Sequence, residues 1–531
     1  MIASEIPPHH ADAPWLKNLL GIIQDQAKLI QAQAEEIQKL RGTVKELQDE
    51  LARVKKTPKR PKFRPKGQTQ EPKNGGVKEA NAAEPSGTAP KVQQEIVIPA
   101  ENVPAGSRRK GYALYQVQDL EIAIKLITYK LEIWETPDGR RIQASLPSDA
   151  AGGHFGAELR TFIHGLYASG VTEPEIFKTL RALGIEISEG QVHNLIASAA
   201  RAMAAISQEI LTAGLESAPF IRVDDTGAKH AHQNHVCTHV GGEHFAFFKT
   251  TESKSRHNFL TILGQGRAGW AVNDAAIWHL CVSGISDEIL HIFEECKGRV
   301  YRTLRGLQRL FKMLGLSGKK VLQRCEEACR IGFIEQTCLK HGQVLLSDRA
   351  GQFAVLNHAA CWIHMERPLR TLIASTSEVE AEITQVRQSI WALYAQVKHA
   401  IASGEGHELV NQAYDDLIAT KVISDGVQKV LQDFKTYRNE LLKALDYPKV
   451  PLHNNDSERD IRGLAKIRKV SGSTKSEAGL LYRDALLSLK QTCFRLKINF
   501  WEFLRSWFKR RPLDLPSMIR SRYHNHPTPA T

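Results

Sequence analysis

The sequence predicts a multidomain α+β protein, and three observations lead there. A heptad repeat occupies residues 15–56, the mark of a coiled coil. Two apolar runs, PFIRVDD and QVLLSD, end in aspartates and read as strands, the first at Asp224 and the second at Asp348. Long stretches at 151–215 and 373–447 repeat apolar residues at helical spacing.

At 531 residues the chain has room for several domains and a large core. Its 42% hydrophobic and 24% charged residues are those of a soluble protein. No apolar run approaches the ~18 to 20 residues of a membrane span, so no membrane partner is expected. Residues 1–14 hold no signal-peptide pattern and read as a disordered N-terminus. The formal charge of +13 points to a polyanion, nucleic acid before membrane. Eight cysteines spread along the chain predict reduced thiols in a cytoplasm rather than a disulfide frame.

In the heptad segment, Ile23, Ile30, Ile37, Val44 and Leu51 recur every seven residues. Leu19, Leu40, Leu47 and Val54 fill the other core position, with Gln26 and Gln33 as polar interruptions. β-branched residues at a and Leu at d favour a parallel dimer. The competing reading, a helix packed on its own domain, sits poorly with the Pro-rich linker that follows. That linker, 57–94, reads as disordered. Eight Lys or Arg and no acid between Arg53 and Lys66 make it a phosphate-contacting arm, with Lys59, Arg60, Lys62 and Arg64 at its centre, or else a merely solubilising spacer.

Residues 95–150 read as a small β domain: EIVIPA and AIKLITYKLEIWET are rich in β formers, and PDGRR is a turn. Residues 151–215 give three helices. The second and third have the layout of a helix-turn-helix, with Gln191, His193 and Asn194 at the front of the recognition helix; a packing unit without DNA contact is the alternative. After the first strand, HVCTHVGGEHFAFFKT predicts a hairpin turned at Gly241-Gly242. His230, His232, His235, His239 and His244 gather here without a standard zinc spacing. Cys325, Cys329, Cys338 and His341 resemble a zinc knuckle loosely, and buried helical cysteines are the better reading, so no structural zinc is expected. Residues 480–511 read as basic helices rich in aromatics, and 512–531 as a loose tail.

The most informative stretch is Asn454–Gly479. Asn455 or Asp456 can cap a helix there, with Ile461, Leu464 and Ile467 as its apolar stripe. Glu458 lies near its start, among Arg459, Arg462, Lys466, Arg468, Lys469 and Lys475. Such a carboxylate is either part of a surface ion-pair set or a metal ligand beside a phosphate backbone. Two strand-borne aspartates and a helix-borne glutamate can converge on a pair of divalent cations, but spacing alone does not select that reading.

The local words do. VDDTGAKH, SKSRHNFL, LLSDRAGQF, CWIHMERPL and above all NNDSERDIRGLAKIRKVSGSTKSEAG resemble the transposases of the insertion-sequence-66 family of bacterial mobile elements. The coiled coil, basic linker and helix-turn-helix unit come in the matching order, so the resemblance covers nearly the whole chain. It implies an RNase H-like α/β catalytic core (216–372 and 448–511) with an α-helical insertion at 373–447; the further helical insert at about 285–340 makes the stretch between the first two acids longer than the family's common form, a departure. The resemblance implies a catalytic triad of Asp224, Asp348 and Glu458 holding two Mg²⁺ or Mn²⁺ ions. Asp225 then neighbours the triad, Cys361 and His364 match a C-x-x-H word that shapes such sites, and Asn454, Asn455, Arg459 and Arg462 position the glutamate helix or contact DNA, as do Arg468 and Lys469. Family members commonly carry a cysteine-bearing zinc segment before the helix-turn-helix. Residues 95–146 contain no cysteine, which marks a divergent branch. The implied function is metal-dependent cleavage and strand transfer at the ends of an insertion sequence. The implied partners are terminal-repeat and target DNA, a second copy or higher oligomer through the coiled coil, and small accessory proteins of the same element. A non-catalytic DNA-binding regulator or inactive relic, or a nuclease that cuts without joining, are the alternatives.

Overall fold

In the computed structural model the described residues are 153–525 without a break, most of 95–147, and Gln26 and Gln33 as single helical positions. The chain divides into Met1–Glu84 and Pro85–Thr531, and every element below belongs to the second unit. Apart from Gln26 and Gln33, the expected coiled coil lies outside the described residues, as does the basic arm with Lys59, Arg60, Lys62 and Arg64.

The expected β unit shrinks to one hairpin. Strands β1 (Ile133–Glu135) and β2 (Arg141–Gln143) pair antiparallel, closed by the Thr136 N–H to Arg140 carbonyl bond of 2.8 Å. EIVIPA and residues 121–132 are not strands, and Ile98 and Leu126 are almost fully exposed. Alternating β formers need a partner edge and a face to bury, and the described residues offer them neither.

Three helices follow as expected: α1 (Ala157–Ala168), α2 (Glu173–Ala182) and α3 (Glu189–Ser217). A capping box starts α3: the Gln191 backbone donates to the Ser188 hydroxyl, and the Ser188 backbone donates to the Gln191 side chain. This helix runs 29 residues, beyond the recognition-helix length the sequence suggested, because Met203, Ile210, Leu211 and Leu215 continue its apolar face into the main core. The Phe245 ring lies so close to Gly214 that a Cβ there would sit 2.5 Å from ring atoms.

The sheet is built from β3 (Phe220–His230), β4 (Gln233–Gly241) and β5 (Ala246–Thr251), an antiparallel meander. The β3–β4 turn is Ala231-His232, both at positive φ (46° and 64°), without a glycine to mark it. A long helical excursion comes next: α4 (Arg256–Leu263), the strand pair β6 (Trp270–Ala271) and β7 (Val300–Tyr301), α5 (Asp274–Val282), α6 (Asp287–Glu295), α7 (Leu304–Met313) and α8 (Lys319–Cys338). It buries its own core, where Cys325 and Cys329 pack with Phe293 and Phe311; burial pushes the Cys325 thiol up to about 11. The chain then re-enters the sheet through β8 (Val344–Ser347) and β9 (Asn357–Ala360), both parallel. The strand order is β5-β4-β3-β8-β9.

Helix α9 (Trp362–Thr371) leaves β9 and opens the expected helical insertion, α10 (Ser377–Ser403), α11 (His407–Ile418) and α12 (Asp425–Thr436), with the short turns α13 (Arg438–Leu441) and α14 (Lys443–Asp446). Then come α15 (Asn455–Ser471), α16 (Glu477–Arg495) and α17 (Phe500–Phe508). Helix α16 is no surface basic helix. Its residues Tyr482 to Leu489 are all buried against α3 and β5. Part of the expected loose tail is also a helix, α18 (Leu515–Asn525), because Leu515 and Ile519 are fully buried and pack with α3.

Period-2 alternation assigns the two faces of the sheet. Ile221, Val223 and Leu345 pack with α3 and α16 on one side; Phe220, Val344 and Leu346 pack with α9 and the insertion helices on the other. Helix α15 lies across β3 and β4 on this second side, with Ile461 and Leu464 against Ala228, Cys237 and Phe248. Its cap is Asn454, one residue earlier than expected, and no side chain caps it; the Asn454 amide instead donates to the Val223 carbonyl at 2.8 Å. One turn on, Asp460 is buried among Arg495, Gln491 (2.6 Å) and His239 Nε2 (3.0 Å). Burial works against this carboxylate, yet His239 and Arg495 outweigh it and hold it below the usual range. Removing it strands a buried arginine. Asp460→Ala is expected to cost about 3–5 kcal/mol of unfolding free energy, read by urea denaturation; a loss below about 1 kcal/mol means that the network does not anchor the helix.

Candidate active site

Asp224 and Asp348 meet through strand register. Arg222 pairs with Leu346, the last pair of the parallel β3–β8 ladder; two residues further on come Asp224, inside β3, and Asp348, the first residue past β8, close enough for Asp348 to act on the Asp224 carboxyl. The alternation places both on the face that α9 and α15 cover. Asp225 points the other way, to Gln352 Nε2 at 2.6 Å and Lys254 Nζ at 3.0 Å. The Asp225 backbone N–H donates to Asp224 Oδ1, and the Ala350 N–H to Asp348 Oδ1.

Glu458 comes from the first turn of α15 and touches α9: Arg367 Nη2 lies 2.9 Å and His364 Nε2 3.4 Å from the same oxygen, Oε1. Cys361 joins three elements. Its N–H donates to the Ser347 carbonyl at the end of β8, it caps α9, and its sulfur accepts from the Asn454 N–H at 3.3 Å. Asn454 is buried beside it and Asn455 is half-buried. Arg459 pairs with Asp456, which also meets the buried Arg222 at 2.5 Å. Arg462 and Lys469 are exposed, and Arg468 donates to the Gly227 carbonyl. Away from this centre, Gln191 is used in its capping box, His193 pairs with Glu173 at 2.9 Å, and Asn194 is exposed. The hairpin histidines take separate partners: His230 bonds Thr474 and Glu477 and meets the His235 ring edge-on, His239 reaches Asp460, and His244 packs tilted against Tyr523.

An open cleft of about 430 Å³ lies on the Asp348 side of this centre, lined by Asp348, alone of the three acids, with Arg349, His364, Arg367 and Thr371 among others. A larger cavity, about 510 Å³, lies between α1–α3 and α15–α16 and contains none of the three acids. Lys254, Gln352 and Arg367 stand inside the quoted words SKSRHNFL, LLSDRAGQF and CWIHMERPL, but nothing in any of these words says which carboxylate each meets.

Asp224 is pushed up to about 7, first by burial and then by the nearby carboxylates Asp348, Asp225 and Glu458. Burial, and then Arg367, push His364 down, so Arg367 is the charged partner of Glu458 near neutral pH. No ion pair among the described residues reaches Asp224 or Asp348, and no three His, Cys, Asp or Glu side chains close on a common point as they stand. The donors themselves are carboxylate oxygens, which suit Mg²⁺ or Mn²⁺, so the set fits such an ion once Glu458 leaves Arg367.

The raised Asp224 gives a pH prediction. Between the ordinary 3.8 and about 7 the folded state holds a proton that the unfolded chain has released, so metal-free stability falls as pH rises through that window. Asp224→Asn is expected to flatten this fall and to raise the thermal midpoint above pH 7 in EDTA. A wild-type midpoint that stays level from pH 5 to 8 rules out the strain at Asp224.

Residues 344–481, from β8 into α16, match the sequence model described as the IS66 family of transposases. The segment takes in Asp348, Cys361, His364, Arg367 and Glu458. The chain is also 35% identical over 305 residues to the uncharacterized protein y4jO of Sinorhizobium fredii (strain NBRC 101917 / NGR234), an alignment spanning 56% of this chain and 93% of that protein. Through the segment that carries two of the three acids and the helical insertion between them, this chain belongs to the IS66 family of transposases.

Proposed function

We propose that the protein is a DDE transposase with an RNase H-like core, acting on the ends of the insertion sequence that encodes it. One observation carries this reading: β3 and β8 run parallel and paired up to two residues before Asp224 and Asp348, and α15 is bonded to β3 beside Asp224 with Glu458 at its start. The strand order β5-β4-β3-β8-β9, three antiparallel strands followed by two parallel ones, supports the fold assignment.

Asp224, Asp348 and Glu458 hold the divalent cations, Mg²⁺ or Mn²⁺. Two such ions supply an activated oxygen nucleophile and charge stabilisation for attack at phosphorus. Asn454 and Cys361 fix where Glu458 enters. Lys254 keeps Asp225 turned aside and leaves the shared face to Asp224 and Asp348. Exposed Arg462 and Lys469 contact DNA phosphates together with the arm of Lys59, Arg60, Lys62 and Arg64. The front of α3 presents Asn194 to the terminal repeats, and the heptad segment pairs two copies so that two ends are held together. Small proteins of the same element complete the assembly.

The test is strand transfer by purified protein from pre-cut element-end duplex into plasmid with Mg²⁺ or Mn²⁺. Joined product is expected from the wild type and only background from Glu458→Gln. Equal joining by both removes Glu458 from the site. DNA binding without joining by either, even with the element's small proteins added, favours a DNA-binding regulator or relic.

A further inference from the structure

Among the described residues, three cations stand at the acidic centre, and each is paired with a carboxylate. Lys254 is paired with Asp225, and Arg349 with Asp433 on the helical insertion. Arg367 alone is paired with one of the three converging acids, Glu458. The other two acids, Asp224 in β3 and Asp348 just past β8, have no cation paired with them among the described residues. The counter-charge therefore sits on the acid that must move toward them, and an ion drawn to Asp224 and Asp348 must take Glu458 from Arg367.

Arg367 is built for an exchange of partners. Its side chain is 51% exposed at the rim of the cleft, whereas Glu458 is 27% exposed. A guanidinium carries five donors, and one hydrogen bond among the described residues, to Glu458 Oε1, occupies them. The planar fork matches a phosphate as well as a carboxylate. We propose that Arg367 is a positioning residue, holding Glu458 back from the aspartates until a DNA phosphate enters the cleft, takes the guanidinium and frees the glutamate. This rests on the triad reading above. It adds an order of events: DNA first, full metal coordination second.

The test uses the full-length protein and Mn²⁺ binding by titration calorimetry, with no activity readout. Arg367→Gln is expected to tighten Mn²⁺ by about five-fold, the scale of a partly exposed ion pair, and to have no effect in a Glu458→Gln background. A non-cognate duplex oligonucleotide, corrected for Mn²⁺ bound by the duplex alone, is expected to tighten Mn²⁺ for the wild type and not for Arg367→Gln, as linkage requires. Lys254→Gln controls for the loss of one nearby positive charge. Equal tightening by Arg367→Gln with and without Glu458, or by Lys254→Gln, overturns the proposal, because the effect is then a general field. Unchanged binding by Arg367→Gln overturns it too; if Glu458→Gln still weakens Mn²⁺, the triad stands and only the restraint falls. Glu458→Gln that binds like wild type removes the glutamate's metal role and this proposal with it.

Discussion

The site depends on how α15 is fastened to the sheet. A helix that begins some 100 residues after the second aspartate must arrive at the ends of two particular strands. Apolar contact alone does not set such a register, since Ile461 and Leu464 can slide over Ala228 and Phe248 with little penalty. Directional groups fix it. Asn454 bonds the Val223 carbonyl, one residue before Asp224, and the Cys361 sulfur, at the root of α9. Asp460 closes the other side with Arg495, Gln491 and His239. At the far end His230 bonds Thr474 and Glu477. Buried polar groups are costly when unpaired, so a shifted helix would lose several of these contacts at once.

That fastening holds like charges together. Asp224, Asp225, Asp348 and Glu458 are close enough to raise Asp224. The fold answers this unevenly. Lys254 and Gln352 take Asp225 to the opposite face, and Arg367 takes Glu458, while Asp224 within β3 and Asp348 just past β8 receive backbone N–H groups only. A site optimised for stability would place a lysine or arginine between Asp224 and Asp348. Leaving that position to an incoming cation is the usual tension between stability and function.

Much of this was legible in the sequence because it is written in local patterns. The runs FIRVDD and VLLSD are short and apolar, and they became β3 and β8, although β3 continues to His230 and does not end at Asp224 as expected, because its pairing with β4 extends that far. The three-residue stripe on α15 named its buried face. What escaped was non-local. The β3–β4 turn has no glycine, so Ala231 and His232 gave no sign of their positive φ. Residues 121–132 carry a strong β pattern without a strand to pair with, since composition states a preference and not a partner. Helix α18 looked like tail because its two anchors, Leu515 and Ile519, are scattered among Pro, Arg and Ser. The docking roles of Asn454, Asp460 and Arg367 depend on residues tens to hundreds of positions away, which no window of sequence contains.

The two helical excursions differ in what they support. The one between β5 and β8 encloses an apolar centre around Phe293, Phe311 and Cys329, the Arg256 to Glu327 ion pair of 2.6 Å ties α4 to α8 within it, and Phe259, Ile331 and Ile334 join the main core. The one between α9 and α15 shares a core with β8 and β9. Trp362, fully buried, donates to the Leu441 carbonyl and packs against Tyr394, Tyr414 and Phe434, while Arg349, next to Asp348, is tied to Asp433. Helices α10–α12 therefore buttress the loop that carries the second aspartate and the root of the helix that carries Arg367. Changes in their packing reach the acids through Trp362 and Arg349. The first excursion reaches the same loop from its other side, because Arg256 donates to the Gly351 carbonyl at 2.6 Å and the Phe259 ring packs edge-on against Phe353.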